Sequence, residues 1–373
     1  MKHYPLVSVV IPNHNGREFV VRCLKSVLTA DYPDFEVIFV DNASSDGSVE
    51  LVRKLFGSDP RLRTIRFSPQ INVGASATRN EGVRLSRRKY IAFLDVDTEV
   101  DRDWLKELVN VMENDPALGS AQSKTLRMDE PEKVAGLGVL LIPCIGMPII
   151  IGAGEEPDRY NYPFYIFAAT EAMIVRREVL DKVGLFDPEI FWGEHLDLSY
   201  RIWLADYKEI LVPTSIVYHA GGAKPKRKMV TFESQFGFDK GNLLFILKNL
   251  SLKSLLKYSP LILLRLRFGL ILSGRKHVVT LTLMDSLHKI SATKFVFALF
   301  LDLTVLYCLR NLRIVLLKRR VVQRMVRMVP DDYVFKYVGP NIPLSLLLTA
   351  GAGLWDSSFE VYLKRYQINL DKS

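Results

Sequence analysis

Short apolar runs and amphipathic stretches alternate along the N-terminal part of the chain. The run LVSVVI at residues 6–11 is continuous and rich in β-branched side chains, which is typical of a strand buried on both faces. It ends in turn residues, and a helical spacing of apolar residues follows over 18–30. Further strands are predicted at 35–40, 64–67 and 90–94, with helices at 49–56 and 74–85. This alternation predicts a Rossmann-like, mostly parallel α/β sheet flanked by helices.

Three polar turns, at residues 12–16, 41–48 and 95–97, follow strands of this predicted sheet. Ligands of parallel sheets bind at the carboxyl ends of strands, so we expect these turns to form one site. Asp41 can accept a hydrogen bond from a base N–H or a ribose hydroxyl. Asp95 and Asp97 alternate along an extended segment, so one can bind a divalent ion while the other takes a ribose hydroxyl or a neighbouring arginine. Mg²⁺ and Mn²⁺ favour such carboxylates together with phosphate oxygens.

Charge divides the chain into two parts. Residues 1–222 hold 25 Lys and Arg against 32 Asp and Glu, whereas residues 223–373 hold 25 against 9, a formal charge of +16. A basic, apolar second part indicates an anionic partner, either a membrane surface or a nucleic acid. The basic residues are interleaved with Leu and Ile and match no nucleic-acid motif, which argues against nucleic acid.

Two long apolar stretches in the second part, residues 251–272 and 295–309, are interrupted by charges, and seven basic residues follow over 310–327. This pattern favours helices that lie in the membrane interface over helices that span it. A helical subdomain packed on the first part, with solvated basic residues, is the alternative. An uncharged stretch at 136–154 contains several glycines and two prolines, so we predict a hairpin there.

The cysteines indicate a reducing compartment. Cys23, Cys144 and Cys308 are far apart and odd in number, which argues against a disulfide framework and against a zinc site. The apolar run at the N-terminus is too short for a signal peptide and reads as a strand. These features predict a cytoplasmic protein, peripheral on the inner face of the cell membrane.

Four motifs carry a family resemblance: VSVVIPNHNG, VIFVDNASSDGS, NVGASATRNEG and YIAFLDVDTEV. In this order the chain resembles the family 2 inverting glycosyltransferases with the GT-A fold, in particular a rhamnosyltransferase-like subset. The likeness continues through residues 169–174, 183–201 and 212–222. It implies a catalytic domain at 1–225, with a donor half at about 1–125 and an acceptor half at about 126–225. A helical, membrane-associated region would follow at 226–373.

The resemblance also implies an activity and residue roles. The enzyme would move a sugar from a nucleotide-diphosphate sugar to a polysaccharide or lipid-linked acceptor with the help of Mn²⁺ or Mg²⁺. Asp95, Asp97 and His219 would serve the metal, although His219 alone reads as a structural histidine. The residues implied in donor binding are Pro12, Asn13, Asn15, Asp41, Asn72, Gly74, Arg79 and Asp95, with Asn80 beside the diphosphate.

The segment implied to carry the catalytic base departs from the family pattern, because relatives often read Glu-Asp-X-Asp-Leu where this chain has Glu194-His195-Leu196-Asp197-Leu198. Inverting transfer needs a base that takes the proton of the acceptor hydroxyl. Asp197 is the first candidate, followed by Glu194 and His195. The alternative is that Asp197 pairs with Arg201, four residues on.

Three other functions compete with this hypothesis. The first is a catalytically weak, donor-binding scaffold, suggested by His195 in the motif. The second is a nucleotidyltransferase, which the absence of a basic, Gly-rich loop after the first strand disfavours. The third is a nucleic-acid-binding protein that uses the basic second part.

Overall fold

The structure is a computed structural model that describes residues 4–68, 70–142, 147–221, 232–259 and 304–338. Parts of the two predicted membrane-surface stretches, together with Cys144, lie outside the described residues. Among the described residues, Cys23 and Cys308 are both buried and free.

The first four strands form a parallel sheet in the order β3-β2-β1-β4. Three helices connect them in sequence order, as the alternating pattern predicted. The first strand is longer than predicted because Pro12 and Asn13 still pair with Val40 and Asp41 of β2. The elements are β1 (Val7–Asn13), α1 (Val20–Leu28), β2 (Phe35–Asn42), α2 (Ser48–Phe56), β3 (Leu62–Ser68), α3 (Ala75–Leu85) and β4 (Tyr90–Leu94).

The sheet continues past β4 with mixed strand directions. β11 lies antiparallel between β4 and β6, and β12 lies parallel to β6 and antiparallel to β5. The separate antiparallel pair β8–β9 confirms the hairpin predicted within residues 136–154. The strands are β5 (Thr98–Val100), β6 (Leu118–Arg127), β7 (Val134–Gly136), β8 (Val139–Ile142), β9 (Met147–Ile150), β10 (Phe164–Tyr165), β11 (Ala172–Arg176) and β12 (Lys208–His219).

Helices cover both faces of the sheet. On one face Val9 and its β1 neighbours pack with α1 and with α4 (Trp104–Asn114). On the other face Val10 packs with α3, α5 (Arg177–Val183) and α6 (Glu194–Leu204). A Cβ at Gly82 of α3 would lie 2.3 Å from Val10 Cγ1, so α3 can approach β1 closely only through this glycine. The close approach brings α3 to the carboxyl end of β1.

The described C-terminal helices pack against α6 and the loop before it. They are α7 (Phe232–Asn249), α8 (Leu312–Val321) and α9 (Asp331–Val338), with further helical residues at 252–259 and 304–310. Tyr200 and Trp203 of α6 share a buried cluster with Phe245 of α7. Within the described ranges, no helix is both long and apolar enough to cross a membrane.

Three of the seven basic residues at 310–327 point inward, which corrects the expectation that this run faces solvent or lipid as a whole. Arg319 donates to the carbonyl oxygens of Leu247 and Leu250, and Arg327 bonds to the Asn249 carbonyl. The last carbonyls of a helix lack intrahelical partners and attract cations, so these arginines satisfy the end of α7. The third, Lys318, binds Asp187, while Arg310, Arg313, Arg320 and Arg324 remain exposed.

A buried carboxyl on β12 ties α6 to the segment before β11. Glu209 is fully buried, and its Oε2 accepts from the Ala169 N–H at 3.1 Å and from the Ser199 hydroxyl at 3.0 Å. Its Oε1 has no hydrogen-bond partner in the part of the chain that the structure describes. Burial raises the pKa of Glu209 to about 8, so this carboxyl is mostly protonated at neutral pH.

We expect Glu209→Gln to stabilise the protein above neutral pH. Because the folded pKa of Glu209 lies above its unfolded value of 4.5, its contribution to stability is full at low pH and falls as the pH rises towards about 8. The uncharged amide avoids this loss, which by pH 8 is on the order of 4 kcal/mol. Urea unfolding between pH 5 and 8 measures it. The exposed Glu178→Gln is the control, and equal pH profiles for wild type and Glu209→Gln would contradict the assignment.

Candidate functional site

The carboxyl ends of β1 and β2 meet at a buried amide. The Asn13 side-chain nitrogen lies 2.9 Å from Asp41 Oδ1, 3.0 Å from Ser44 Oγ and 2.9 Å from Ser48 Oγ. Asp41 is itself fully buried, and Arg66 Nε lies 3.7 Å from its other oxygen. The strand ends therefore hold a fixed carboxylate at the rim of the sheet, where a base or ribose would need an acceptor.

The turn after β1 is tightly built around the segment that contains Asp95 and Asp97. Asn15 adopts a left-handed conformation with φ 54°, and its side-chain oxygen accepts from the Ser45 N–H at 2.9 Å. A Cβ at Gly16 would lie 2.4 Å from Asn13 Oδ1 and 2.8 Å from Val96 Cγ1. The chain can therefore pass directly over Val96 only with glycine at this position.

A second network shapes the segment before α3. Asn42 donates to Asn72 Oδ1 at 2.7 Å and accepts from the Val73 N–H at 3.0 Å. The Gly74 N–H also donates to Asn72 Oδ1, at 2.9 Å, and Gly74 has φ +86°, a conformation that favours glycine. The positive end of the α3 dipole thus lies next to the strand ends, a position that suits phosphate.

One arginine joins the two sides of the cleft. Arg79 of α3 is buried, and it donates from Nη2 to Asp95 Oδ1 at 2.8 Å and from Nη1 to Glu194 Oε1 at 3.0 Å. Its guanidinium also lies over the Phe186 ring, 5.5 Å from the centroid. Burial alone would lower the pKa of Arg79, but the two carboxylates raise it. The charged guanidinium therefore holds Asp95 and Glu194 in fixed places.

Asp97 lies beside His219, because His219 pairs with Thr98 across β5 and β12. His219 Nε2 is 3.2 Å from Asp97 Oδ2, and its Nδ1 is 3.8 Å from Glu171 Oε1. Burial alone would lower the pKa of His219, but the Asp97 hydrogen bond and the neighbouring carboxylates raise it to about 9. This proton occupies a position that a metal ion could take.

The charges around these residues suit a divalent cation. Arg79 and His219 share the neighbourhood with four carboxylates, those of Asp95, Asp97, Glu171 and Glu194. The described residues contain no group of three or more His, Cys, Asp or Glu that could hold a metal by itself. Mg²⁺ and Mn²⁺ are usually held by one or two protein ligands, with phosphate oxygens and water completing the shell. Asp97 and His219 fit that requirement.

The first turn of α6 carries the three candidates for the base. The Asp197 carboxylate is fully buried and is bound by Arg201 at 2.9 Å, Lys248 at 2.7 Å and the Asn249 amide at 2.8 Å. Burial alone would raise the pKa of Asp197, but Lys248 and Arg201 lower it. Asp197, the first candidate for the base, is therefore disfavoured. It pairs with Arg201, which is the alternative role that the sequence left open.

His195 is also unsuited to accept a proton. Its ring packs edge-on against Phe186, and its Nδ1 has no hydrogen-bond partner in the described part of the chain. Burial and the charge of Arg79 lower the pKa of His195 to about 3, so protonation at neutral pH is strongly unfavourable. Glu194, at the start of α6 and in contact with Arg79, is the candidate that this geometry favours.

The chain is similar to known glycosyltransferases in sequence and in fold. Residues 8–184 match the sequence profile of glycosyl transferase family 2. The match covers a little under half of the chain. The chain is 30% identical over 232 residues to the uncharacterized protein y4gI of Sinorhizobium fredii, covering 59% of this chain and 25% of y4gI. It is 34% identical over 108 residues to the putative teichuronic acid biosynthesis glycosyltransferase TuaG of Bacillus subtilis, covering 29% and 42%. The chain thus spans less than half the length of either relative.

A more complete alignment links the chain with glycosyltransferase AglE of Haloferax volcanii, at 26% identity over 67% of this chain and 77% of AglE. Two solved structures share the fold. GalNAc-T7 with UDP, GalNAc and Mn²⁺ has a TM-score of 0.51 at 19% identity, covering 66% of this chain and 48% of its own. Staphylococcus aureus TarS 1-349 has a TM-score of 0.50 at 17% identity, covering 88% and 90%. The predicted GT-A fold is confirmed.

Most residues predicted to bind the donor lie together at the strand ends, but Asn80 does not. Its side chain donates to the Phe186 carbonyl at 2.8 Å and accepts from the Phe186 N–H at 3.0 Å. Because both amide groups are used on this backbone, Asn80 fixes the loop before α6 and is not placed to contact a diphosphate. Asn80 and Phe186 are 106 residues apart in the chain, so no local sequence pattern indicates that they pair.

Two residues of the site received no role from the sequence. Glu171 lies in the segment ATEAMI before β11, and its backbone carbonyl accepts from the Asp95 N–H at 3.1 Å. Lys248 of α7 is a single charge within the apolar run NLLFILKNL. Such an isolated lysine is almost never buried without a partner. Its position in an apolar run was therefore the sequence feature that could have indicated a role for Lys248.

Proposed function

We propose that the protein is a glycosyltransferase that uses a nucleotide-diphosphate sugar and a divalent metal. The observation that carries the proposal is the meeting of Asp41, the Asp97–His219 pair and Glu194 around the ends of the strands. They supply an acceptor for the nucleoside, ligands for a cation beside the diphosphate, and a carboxylate on the opposite side of the cleft. The match of residues 8–184 to glycosyl transferase family 2 and the GT-A fold support the same activity.

Each group has a distinct task in this proposal. Asp41, with Pro12, Asn13 and Asn15 around it, receives the nucleoside, and the segment from Asn72 through Gly74 to α3 faces the diphosphate. Asp97 and His219 would hold Mn²⁺ or Mg²⁺. When bound, the ion would neutralise the negative charge on the leaving diphosphate. Asp95 is held by Arg79 and helps to position the donor side.

We assign the general base to Glu194 and the reaction to a single displacement with inversion. The carboxylate takes the proton of the acceptor hydroxyl as its oxygen attacks the anomeric carbon, and the nucleoside diphosphate leaves from the opposite side. Glu194 lies at the N-terminus of α6, where a carboxylate is favoured by the helix dipole. Its bond to Arg79 fixes its direction relative to Asp95.

The acceptor that we propose is a polysaccharide or a lipid-linked glycan. TuaG is named for teichuronic acid biosynthesis, and TarS has been solved with UDP-GlcNAc, which makes UDP-sugars the first donors to test. Transfer of rhamnose, as in the subset that the sequence resembles, is a second possibility for the donor.

We also propose that the C-terminal helices bind the inner face of the cell membrane from the cytoplasm. Several large apolar side chains of helices 304–310 and α8 are exposed, among them Leu306, Leu309, Ile314 and Leu317. The exposed Arg313, Arg320 and Arg324 lie on the same stretch. Apolar and cationic side chains together suit an anionic lipid surface, to which each basic residue adds about 1 kcal/mol.

The metal assignment predicts that nucleoside diphosphates bind only together with Mn²⁺ or Mg²⁺. Thermal unfolding with UDP, GDP or dTDP should shift upward for one nucleoside when metal is present, since ligand at about 100 times its Kd adds roughly 2.7 kcal/mol. Asp97→Asn should remove the metal-dependent shift, and the exposed Asp103→Asn should keep it. A full metal-dependent shift in Asp97→Asn would sink the assignment.

The base assignment predicts that Glu194→Gln loses turnover and keeps donor binding. Water can replace the acceptor, so hydrolysis of the bound nucleotide sugar provides the assay, and loss of a general base should slow it by about 100-fold or more. Glu178→Gln, on the exposed surface of α5, is the matched control. If Glu194→Gln hydrolyses the donor at the wild-type rate, another group is the base. A wild type that binds donor without any turnover would favour the donor-binding scaffold.

The membrane proposal predicts binding to vesicles that contain phosphatidylserine and little binding to phosphatidylcholine alone. Replacing Arg313, Arg320 and Arg324 by glutamine should weaken binding by about 100-fold, since three residues contribute roughly 3 kcal/mol. The equivalent replacement of the exposed Arg53, Lys54 and Arg87 is the control. Co-sedimentation that depends equally on both sets would indicate charge attraction without a specific face.

A further inference from the structure

Two buried carboxylates lie on either side of the candidate base along the chain. Asp187 precedes the loop 188–193, and Asp197 lies one turn into α6. Both are bound by one cation of α7, because Lys248 Nζ lies 2.8 Å from Asp187 Oδ2 and 2.7 Å from Asp197 Oδ1. All three side chains are at least nine-tenths buried. A single lysine from the C-terminal region therefore bridges both ends of the segment that carries Glu194.

Other groups of the C-terminal helices strengthen the same bridge. Lys318 of α8 donates to Asp187 Oδ1 at 2.6 Å, and Asn249 of α7 donates to Asp197 Oδ1 at 2.8 Å. Burial alone would raise the pKa of Asp187, but Lys248 and Lys318 hold it well below its usual range. The two carboxylates therefore remain charged. Asp187 is neutralised by Lys248 and Lys318 of the C-terminal helices, whereas Asp197 shares Lys248 with Arg201 of its own helix.

The loop between the two carboxylates rests on the same helix. A Cβ at Gly241 would lie 2.2 Å from the Trp192 carbonyl oxygen, and a Cβ at Gly237 would lie 3.2 Å from Trp192 Cδ1. These glycines are one helical turn apart, so they form a smooth strip of α7 on which the loop lies. Tyr307 also donates a hydrogen bond to Glu189. The loop is thus held against the C-terminal helices at several points.

On its other side the loop meets the donor half. Ser76 of α3 donates to the Ile190 carbonyl at 3.3 Å, and Arg79 of α3 binds Glu194 at 3.0 Å. The segment from Asp187 to Glu194 therefore lies between α3 and α7. Release of the α7 side would leave this segment with its contacts to α3 and with Arg201, which binds Asp197 and the carbonyls of residues 183–185.

We propose that Lys248 is a positioning residue through which the C-terminal helices fix the loop 188–193 and the first turn of α6, and thereby the Glu194 carboxylate. The C-terminal region is then a working part of the acceptor side as well as a membrane-binding surface. This inference rests on the proposed function, because it assigns Lys248 an effect on the base. The part of the inference that concerns the loop 188–193 can be tested without any enzymatic activity.

Trp192 offers a reporter of the loop that needs no substrate. It is 48% exposed, whereas Trp104 and Trp203 are fully buried, and Trp355 can be replaced by phenylalanine. In that background Lys248→Met should roughly double the quenching of tryptophan fluorescence by acrylamide, because the loop opens locally. The control is Lys253→Met, which removes an exposed lysine of the same region that pairs only at the surface with Asp332.

The kinetic readout separates positioning from a loss of stability alone. Lys248→Met should bind UDP and Mn²⁺ like the wild type but hydrolyse the donor about 10- to 100-fold more slowly, as expected when a reacting group is displaced by about 1 Å. Lys248→Arg should restore a large part of this rate, since it keeps the charge. A bridge that only stabilises the fold would lower the urea midpoint without changing turnover or Trp192 quenching.

A second variant keeps the inference testable if Lys248→Met does not fold. Asp187→Asn breaks only the loop end of the bridge and leaves Lys248 with Asp197, so it should unfold at a higher urea concentration than Lys248→Met and still raise Trp192 quenching. Unchanged quenching in a folded Asp187→Asn or Lys248→Met would overturn the inference. If no nucleotide sugar is hydrolysed by the wild type, the proposed function fails, and the quenching result alone decides whether Lys248 fixes the loop.

Discussion

The buried guanidinium of Arg79 holds the two halves of the cleft together. It comes from α3, and it binds Asp95 at the end of β4 and Glu194 at the start of α6. Removing one partner of a buried ion pair costs about 3–5 kcal/mol, because an uncompensated charge remains in a poorly solvated place. Here one cation serves two carboxylates that are 99 residues apart, so the positions of strand, turn and helix are interdependent. Because Asp95 is bound to Arg79, the metal ion that we propose would be held by Asp97 and His219.

The donor half could be predicted from the sequence because its signals are local. Short β-branched runs, turn residues and helical spacing gave the strands from β1 to β4 and the helices between them, and the ends of parallel strands located Asp41, Asp95 and Asp97. The prediction even allowed one of the two aspartates to take a neighbouring arginine, which Asp95 does. The donor site lies at the ends of strands, and the ends of strands can be predicted from the pattern of apolar and turn residues.

The acceptor side could not be predicted because its contacts join distant parts of the chain. Asp197 fits a helical pairing with Arg201, but its bond to Lys248 spans 51 residues, and nothing in the local pattern indicates it. For the same reason Asn80 was expected at the diphosphate and instead holds Phe186. Some basic residues at 310–327 point inward, where they bind the last carbonyls of α7 or the Asp187 carboxylate. The other arginines of this run face solvent. The division into domains at residue 225 stays a prediction, and the packing of α7 on α6 argues that the two regions act together.

Release of nucleoside diphosphate from nucleotide sugars by the full chain measures the donor site, the metal and Arg79 together. With Mn²⁺ present, we expect that sugars of one nucleoside are turned over and that chelation of the metal stops the reaction. Arg79→Met should stop it too, because Asp95 and Glu194 lose their common partner. Turnover that continues unchanged in Arg79→Met or without metal would show that this site does not carry the reaction, and so would a failure of every nucleotide sugar to be bound or cleaved.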